Sequence, residues 1–117
     1  MTAIEMVTID CAEPKELARF WTEALNTTIA QDIQGEFLVL APAREGGVAL
    51  GLQKVPEPKA GKNRVHIDLG TADRAAEVAR LVELGAAVVE EHIYPGFAWT
   101  VLTDPAGNEF CVGAPTE

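Results

Sequence analysis

Between residues 6 and 10 the side chains alternate: Val7 and Ile9 share one parity, and Met6, Thr8 and Asp10 share the other. A period of two predicts a strand with an apolar face and a polar face. A helical pattern follows. Leu17, Phe20, Trp21, Ala24 and Leu25 fall at i, i+3, i+4, i+7 and i+8, one apolar stripe, and Glu13-Pro14 supplies the start. Short strands are then expected near 28–33, 36–41 and 47–53, with turns at Gln34-Gly35 and Glu45-Gly46-Gly47. The second half repeats the order. Ile67 and Leu69 alternate with His66 and Asp68. Ala75, Val78, Leu81 and Val82 form a helical stripe that Asp73 caps and Gly85 ends. Strands are expected at 87–92, 97–103 and 108–113. Turns separate them at Tyr94-Pro95-Gly96 and at Asp104-Pro105-Ala106-Gly107, the latter with type I turn chemistry. In the last strand Phe110 and Val112 face one way, Glu109 and Cys111 the other.

The halves are copies. "ELARF" at 16–20 matches "EVARL" at 77–81, an offset of 61, and "MVTIDCAE" at 6–13 parallels "HIDLGTAD" at 66–73, an offset of 60. The fold class is therefore α+β, built from tandem βαβββ modules with antiparallel-rich, cupped sheets. Module one covers about 1–53 and module two about 64–117 of a single domain. The stretch "KVPEPKAGKN", 54–63, is the linker. A four-stranded sheet with one helix leaves its other face uncovered. Two such sheets curved round a shared concave space would cover each other, and that space is the natural ligand site.

Composition narrows the partners. The chain has 117 residues, 48% of them hydrophobic, enough for a real core. A net charge of −9 repels phosphate backbones and anionic membranes, which argues against nucleic acid and membrane as partners. No apolar run is long enough to span a bilayer. The opening MTAIEMVTID lacks a basic segment followed by an apolar one, so a cytoplasmic protein with free thiols is expected. A Cys11–Cys111 disulfide is the alternative use of the two cysteines. No P-loop, GxGxxG, CxxC or Ser-His-Asp set is visible.

The tandem units, with "DCAEPKELARFW", "GKNRVHIDL", "LVELGA" and "DPAGNEFCV" in order along nearly the whole chain, resemble the vicinal oxygen chelate superfamily. That superfamily includes glyoxalases, bleomycin-resistance proteins and extradiol dioxygenases, and the motifs look like its glyoxalase-like branch. The resemblance implies four metal-ligand slots, on the first and last strand of each module, filled by His, Gln or Glu. Here His66 and Gln53 match. Cys111 stands where a Glu is usual, with Glu109 two residues earlier on the same face. The fourth slot falls on Glu5 or Met6; strand parity favours Met6. Met, Gln, His and Cys are a poor set for Mg²⁺, Mn²⁺ or Fe²⁺.

The expected ligand-binding residues are thus His66, Gln53, Asp68, Trp99, Glu109 and Cys111, with Trp99 as a stacking surface. Trp21 and Phe20 belong to the core, and "GKNR" at 61–64 reads as a solvated linker. Three readings follow. The first is a small-molecule binding protein of the glyoxalase and bleomycin-resistance type, with no cofactor, taking a cationic or aromatic ligand. The second is a divalent-metal-dependent lyase, isomerase or dioxygenase using His66, Gln53, Glu109 and Glu5. The third is an interaction module with a vestigial cavity. A homodimer is expected, since open sheets leave edges that need cover.

Overall fold

The computed structural model describes residues 1–116; residue 117, at the end of the expected second module, lies outside the described residues. The chain divides into two compact units, 1–59 and 60–117, and the division falls inside the expected linker. The first unit runs β1 (Met6–Cys11), α1 (Pro14–Leu25), β2 (Ile29–Ile33), β3 (Phe37–Leu40) and β4 (Ala49–Lys54). The second runs β5 (Ile67–Gly70), α2 (Arg74–Leu84), β6 (Ala87–Tyr94), β7 (Phe97–Thr103) and β8 (Glu109–Pro115). The sheet orders are β1-β4-β3-β2 and β5-β8-β7-β6. In each sheet the first and last strands pair in parallel and the rest antiparallel. This is the expected βαβββ repeat, with strand ends shifted by a residue or two.

Local chemistry explains the turns. Gln34 and Gly35 both have positive φ, 56° and 69°, which suits the type I′ hairpin between β2 and β3. The Gly35 N–H donates to Asp32 Oδ1 at 2.8 Å. Before β8, the N–H of Gly107 donates to the Asp104 carbonyl at 2.9 Å, closing a β-turn. Asp104 is buried, and its Oδ1 accepts from the N–H groups of Ala106 and Asn108, each at 2.9 Å. The side chain thus replaces the missing ladder partners at the start of β8.

The two helices cover their sheets unequally. In the first unit α1 buries Leu17, Ala18, Phe20, Trp21 and Ala24 against Leu38, Leu40, Leu50 and Leu52. Phe20 and Trp21 meet edge to face, 5.1 Å apart at 86°. In the second unit α2 fully buries only Leu81. The expected stripe holds only in part: Leu81 is buried and Val78 half-buried, but Ala75 is exposed and Val82 is 43% exposed. The bulk comes from the sheet instead, where Phe110, Val112, Leu102, Ala98 and Ala114 face the helix. Arg74, at the start of α2, fills the remaining edge. Its Nη1 donates to Thr100 Oγ1 at 2.7 Å and to Glu91 Oε2 at 2.6 Å, which satisfies the buried Thr100 hydroxyl. Asp73 caps α2 as expected, accepting from the Ala76 N–H at 3.1 Å.

This asymmetry has a measurable consequence. Trp21→Ala is expected to cost about 3–5 kcal/mol, the range for emptying a large aromatic site. Val82→Ala, at an exposed helix position, is expected to stay within about 0.5 kcal/mol. Urea unfolding followed by far-ultraviolet circular dichroism compares them; equal losses would contradict the unequal packing.

Candidate functional site

The candidate site lies on the face of the second sheet turned away from α2. Parallel pairing sets Asp68 opposite Cys111 and Gly70 opposite Gly113. Antiparallel pairing then sets Val101 opposite Cys111, Trp99 opposite Gly113 and His92 opposite Trp99. Residues across a ladder share a face, so these side chains all stand away from α2. Asp68, Gly70, Trp99, Cys111 and Gly113 of this set line an open concavity of about 540 Å³, together with His66 and Phe97.

One side is a ladder of rings. Trp99 lies parallel to Tyr94, centroids 5.4 Å apart at 8°, and to His92, 4.9 Å apart at 21°. Phe97 tilts toward the indole at 6.2 Å. A Cβ on Gly113 would stand 2.6 Å from Phe97 Cζ, so the absent side chain is what lets that ring lie on the sheet. Trp99 is therefore part of a preassembled aromatic wall, not a lone platform. His92 and Tyr94 escaped notice in the sequence. Their signal was the Tyr94-Pro95-Gly96 turn, which fixes the cross-strand register. His92 Nε2 also lies 3.1 Å from Glu90 Oε1.

The opposite side is polar. His66 sits one residue before β5 and is exposed, so it marks the rim of the concavity rather than its centre. Its Nε2 lies 3.3 Å from both the Asn63 carbonyl oxygen and Lys62 Nζ. The "GKNR" segment is not merely solvated. The Asn63 N–H donates to Glu109 Oε1 at 2.8 Å, the Glu109 N–H donates to Asn63 Oδ1 at 3.2 Å, and Lys62 Nζ donates to Glu109 Oε2 at 3.2 Å. This reciprocal clamp fastens the incoming chain to the start of β8. Glu109 is only 14% exposed, and both its oxygens serve the clamp.

Cys111 is a buried free thiol, as is Cys11, so the structure has no Cys11–Cys111 disulfide. Burial pushes the Cys111 thiol up to about 11, and the charge of Asp68 and its hydrogen bond to the thiol add to the shift. At neutral pH it is a protonated thiol and therefore a poor nucleophile.

Gln53 belongs to the first unit. It is exposed on the uncovered face of that sheet, opposite Asp10 on one side and Phe37 on the other. Met6 and Thr8 share that face, as parity required. Glu5 precedes β1, where its carbonyl accepts from the Ala49 N–H. Among the described residues no three His, Cys, Asp or Glu side chains gather into a metal-binding cluster. A soft thiol at the last-strand slot, with Glu109 tied to Asn63 and Lys62, is a poor match for the hard divalent ion that the superfamily resemblance implies.

A family model described as a glyoxalase-like domain matches residues 6–113. The chain belongs to the glyoxalase-like domain family. Solved structures agree on the fold. A glyoxalase/bleomycin resistance protein/dioxygenase family enzyme from Burkholderia phytofirmans PsJN superposes with a TM-score of 0.80 at 15% identity, over 98% of this chain and 100% of that one. TnmS3, an antibiotic binding protein from Streptomyces sp. CB03234, gives 0.75 at 23% identity, over 99% and 98%. A lactoylglutathione lyase from Agrobacterium tumefaciens gives 0.72 at 20% identity, over 97% and 94%. A comparison with curated proteins returns no match. Within this glyoxalase-like domain no described helix is long and apolar enough to cross a membrane.

The Cys111 environment predicts an alkaline limit. The folded chain holds this proton more tightly than the unfolded chain, whose thiol has the ordinary value of 9.0. The stability it contributes is intact below that value and is lost as the pH climbs toward about 11. Urea midpoints across this window should fall more steeply for the native protein than for Cys111→Ser, which has no thiol to titrate. Parallel slopes would contradict the assignment.

Proposed function

We propose that this glyoxalase-like domain is a small-molecule binding protein that holds a flat ligand in the second unit's concavity without a bound metal. The observation that carries the reading is a concavity lined by the rings of Trp99 and Phe97 together with the polar side chains of His66 and Asp68, with Tyr94 and His92 stacked on Trp99. A rigid stack of rings offers a planar ligand contact area with little ordering cost, and a few polar groups then fix its orientation. The donor chemistry favours binding over metal-assisted catalysis. Glu109 is spent on the clamp to Asn63 and Lys62, and Cys111 keeps its proton. The fold is shared with an antibiotic binding protein as well as with a lyase, so it accommodates either role. In this reading His66, Asp68, Trp99 and Cys111 contact the ligand, and Gln53 and Glu109 do not. The exposed apolar side chains of β2 and β6, including Ile29, Ile33, Val88 and Ile93, support a homodimer, checked by light scattering.

The test uses fluorescence, because the two indoles occupy different environments. Trp21 is 1% exposed beneath α1, whereas Trp99 lines the concavity. In Trp21→Phe, a planar ligand found by screening is expected to quench the remaining Trp99 emission. In Trp99→Phe, its binding should weaken by about 1–3 kcal/mol, taking base stacking on aromatic side chains as the guide. Elemental analysis after purification without chelator should find well under one divalent ion per chain. About one ion per chain, lost in His66→Ala, would replace this reading with the metal enzyme.

A further inference from the structure

The charge of the concavity says more about its ligand. Asp68 is the carboxylate among the lining residues, and neither Lys nor Arg accompanies it there. Among the described residues no ion pair engages it. Lys62, the cation whose field reaches Cys111, is held by Glu109 and lies against His66. Asp68 stands opposite Cys111 on the parallel ladder, and the thiol is the one donor side chain set against it there. An ionised carboxylate has about four acceptor positions, so capacity remains for a donor from the ligand.

We infer that the concavity selects a planar aromatic cation, its positive nitrogen directed at Asp68 and its ring lying against the Trp99 wall. The inference rests on the binding reading above and adds the charge of the ligand to it. Three kinds of flat ligand compete. A neutral one would cover Asp68 and strip its water without supplying a partner, which costs free energy. An anionic one would add like-charge repulsion at Asp68 to the repulsion from a chain of net charge −9. A cationic one replaces the lost water with a charge-assisted hydrogen bond, and the face of an indole attracts positive charge as well. The imidazole of His92, stacked on Trp99 and paired with Glu90, already places a protonatable ring on that wall.

Three planar tricyclic probes separate the cases: proflavine as the cation, phenazine as the neutral ring system and anthracene-9-carboxylate as the anion. Each is titrated by calorimetry into the full chain, into Asp68→Asn, into Trp99→Phe, and into Glu83→Gln as a charge control on the exposed side of α2. Proflavine is expected to bind at least about tenfold more tightly than phenazine, the scale of one charge-assisted hydrogen bond. Asp68→Asn should remove most of that preference and leave phenazine unchanged, and Glu83→Gln should do neither. Raised salt should weaken proflavine alone. If phenazine or anthracene-9-carboxylate binds as tightly as proflavine and is weakened in Trp99→Phe, the charge assignment is overturned while the binding site stands. If Glu83→Gln weakens proflavine as much as Asp68→Asn does, the attraction belongs to the whole acidic surface and the assignment is again overturned. If none of the three probes binds, the binding reading itself fails. Asp68→Asn keeps an acceptor for Cys111, and Trp99→Phe provides a second variant should it fold poorly.

Discussion

The parallel ladder between the first and last strands of each unit is the constraint on which the rest depends. A parallel pair cannot be closed by a tight turn, so the chain between its strands must cross over. Here that crossover is a helix and two further strands. In the second unit the ladder between β5 and β8 sets Asp68 beside Cys111 and Gly70 beside Gly113. Every feature of the site is indexed to it. β7 inherits its register from β8, and β6 inherits its register from β7. A slip of one residue of β5 along β8 would turn Asp68 toward α2 and put an apolar neighbour, Ile67 or Leu69, beside Cys111. The clamp between Asn63 and Glu109 sits at the open end of this ladder and guards the register where the chain enters.

The repeat shows which parts of the uncovered face are generic and which are particular. Gly51 and Gly113 occupy corresponding last strands, and each has a phenylalanine over it, Phe37 in one unit and Phe97 in the other. That arrangement is a property of the unit. The neighbouring pairs have diverged. Where the second unit pairs Tyr94 with Phe97 and His92 with Trp99, the first pairs Ile33 with Phe37 and Gln31 with Val39. The same backbone thus presents rings in one copy and aliphatic or amide side chains in the other. The two copies of the unit thus differ on this face in side chains and not in register.

Much of this was legible in the sequence because it rests on short-range patterns. Period-two alternation, helix stripes, Asp73, Gly85 and the Asp104 turn all act within a few residues, and each element they predicted is present. The superfamily resemblance came from the same motifs. What escaped depends on contacts between distant residues. The clamp joins Asn63 to Glu109 across most of the second unit, and nothing local in "GKNR" announces it. His92 and Tyr94 were invisible until the hairpin register set them against Trp99. The stripe of α2 misled for a related reason. Apolar periodicity shows that a helix has a face to bury, but not how much sheet lies beneath it. Leu81 is fully buried against the sheet, while Ala75 and Val82 are left in solvent.

The cysteine in β8 links the fold to the choice of chemistry. At this position the superfamily resemblance implies a carboxylate, a group that is charged at neutral pH and suited to a cation. A thiol there is uncharged, and the buried, acidic surroundings of Cys111 keep it so. The negative charge has not vanished from the ladder, however. It stands one strand over, on Asp68, directly opposite Cys111. A carboxylate on β5 faces the same concavity but lacks the neighbouring donors that would make a coordination sphere. It is suited to one directional contact with a ligand. A charge one strand over, beside a face carrying rings, is the chemistry on which the proposed recognition of an organic molecule rests.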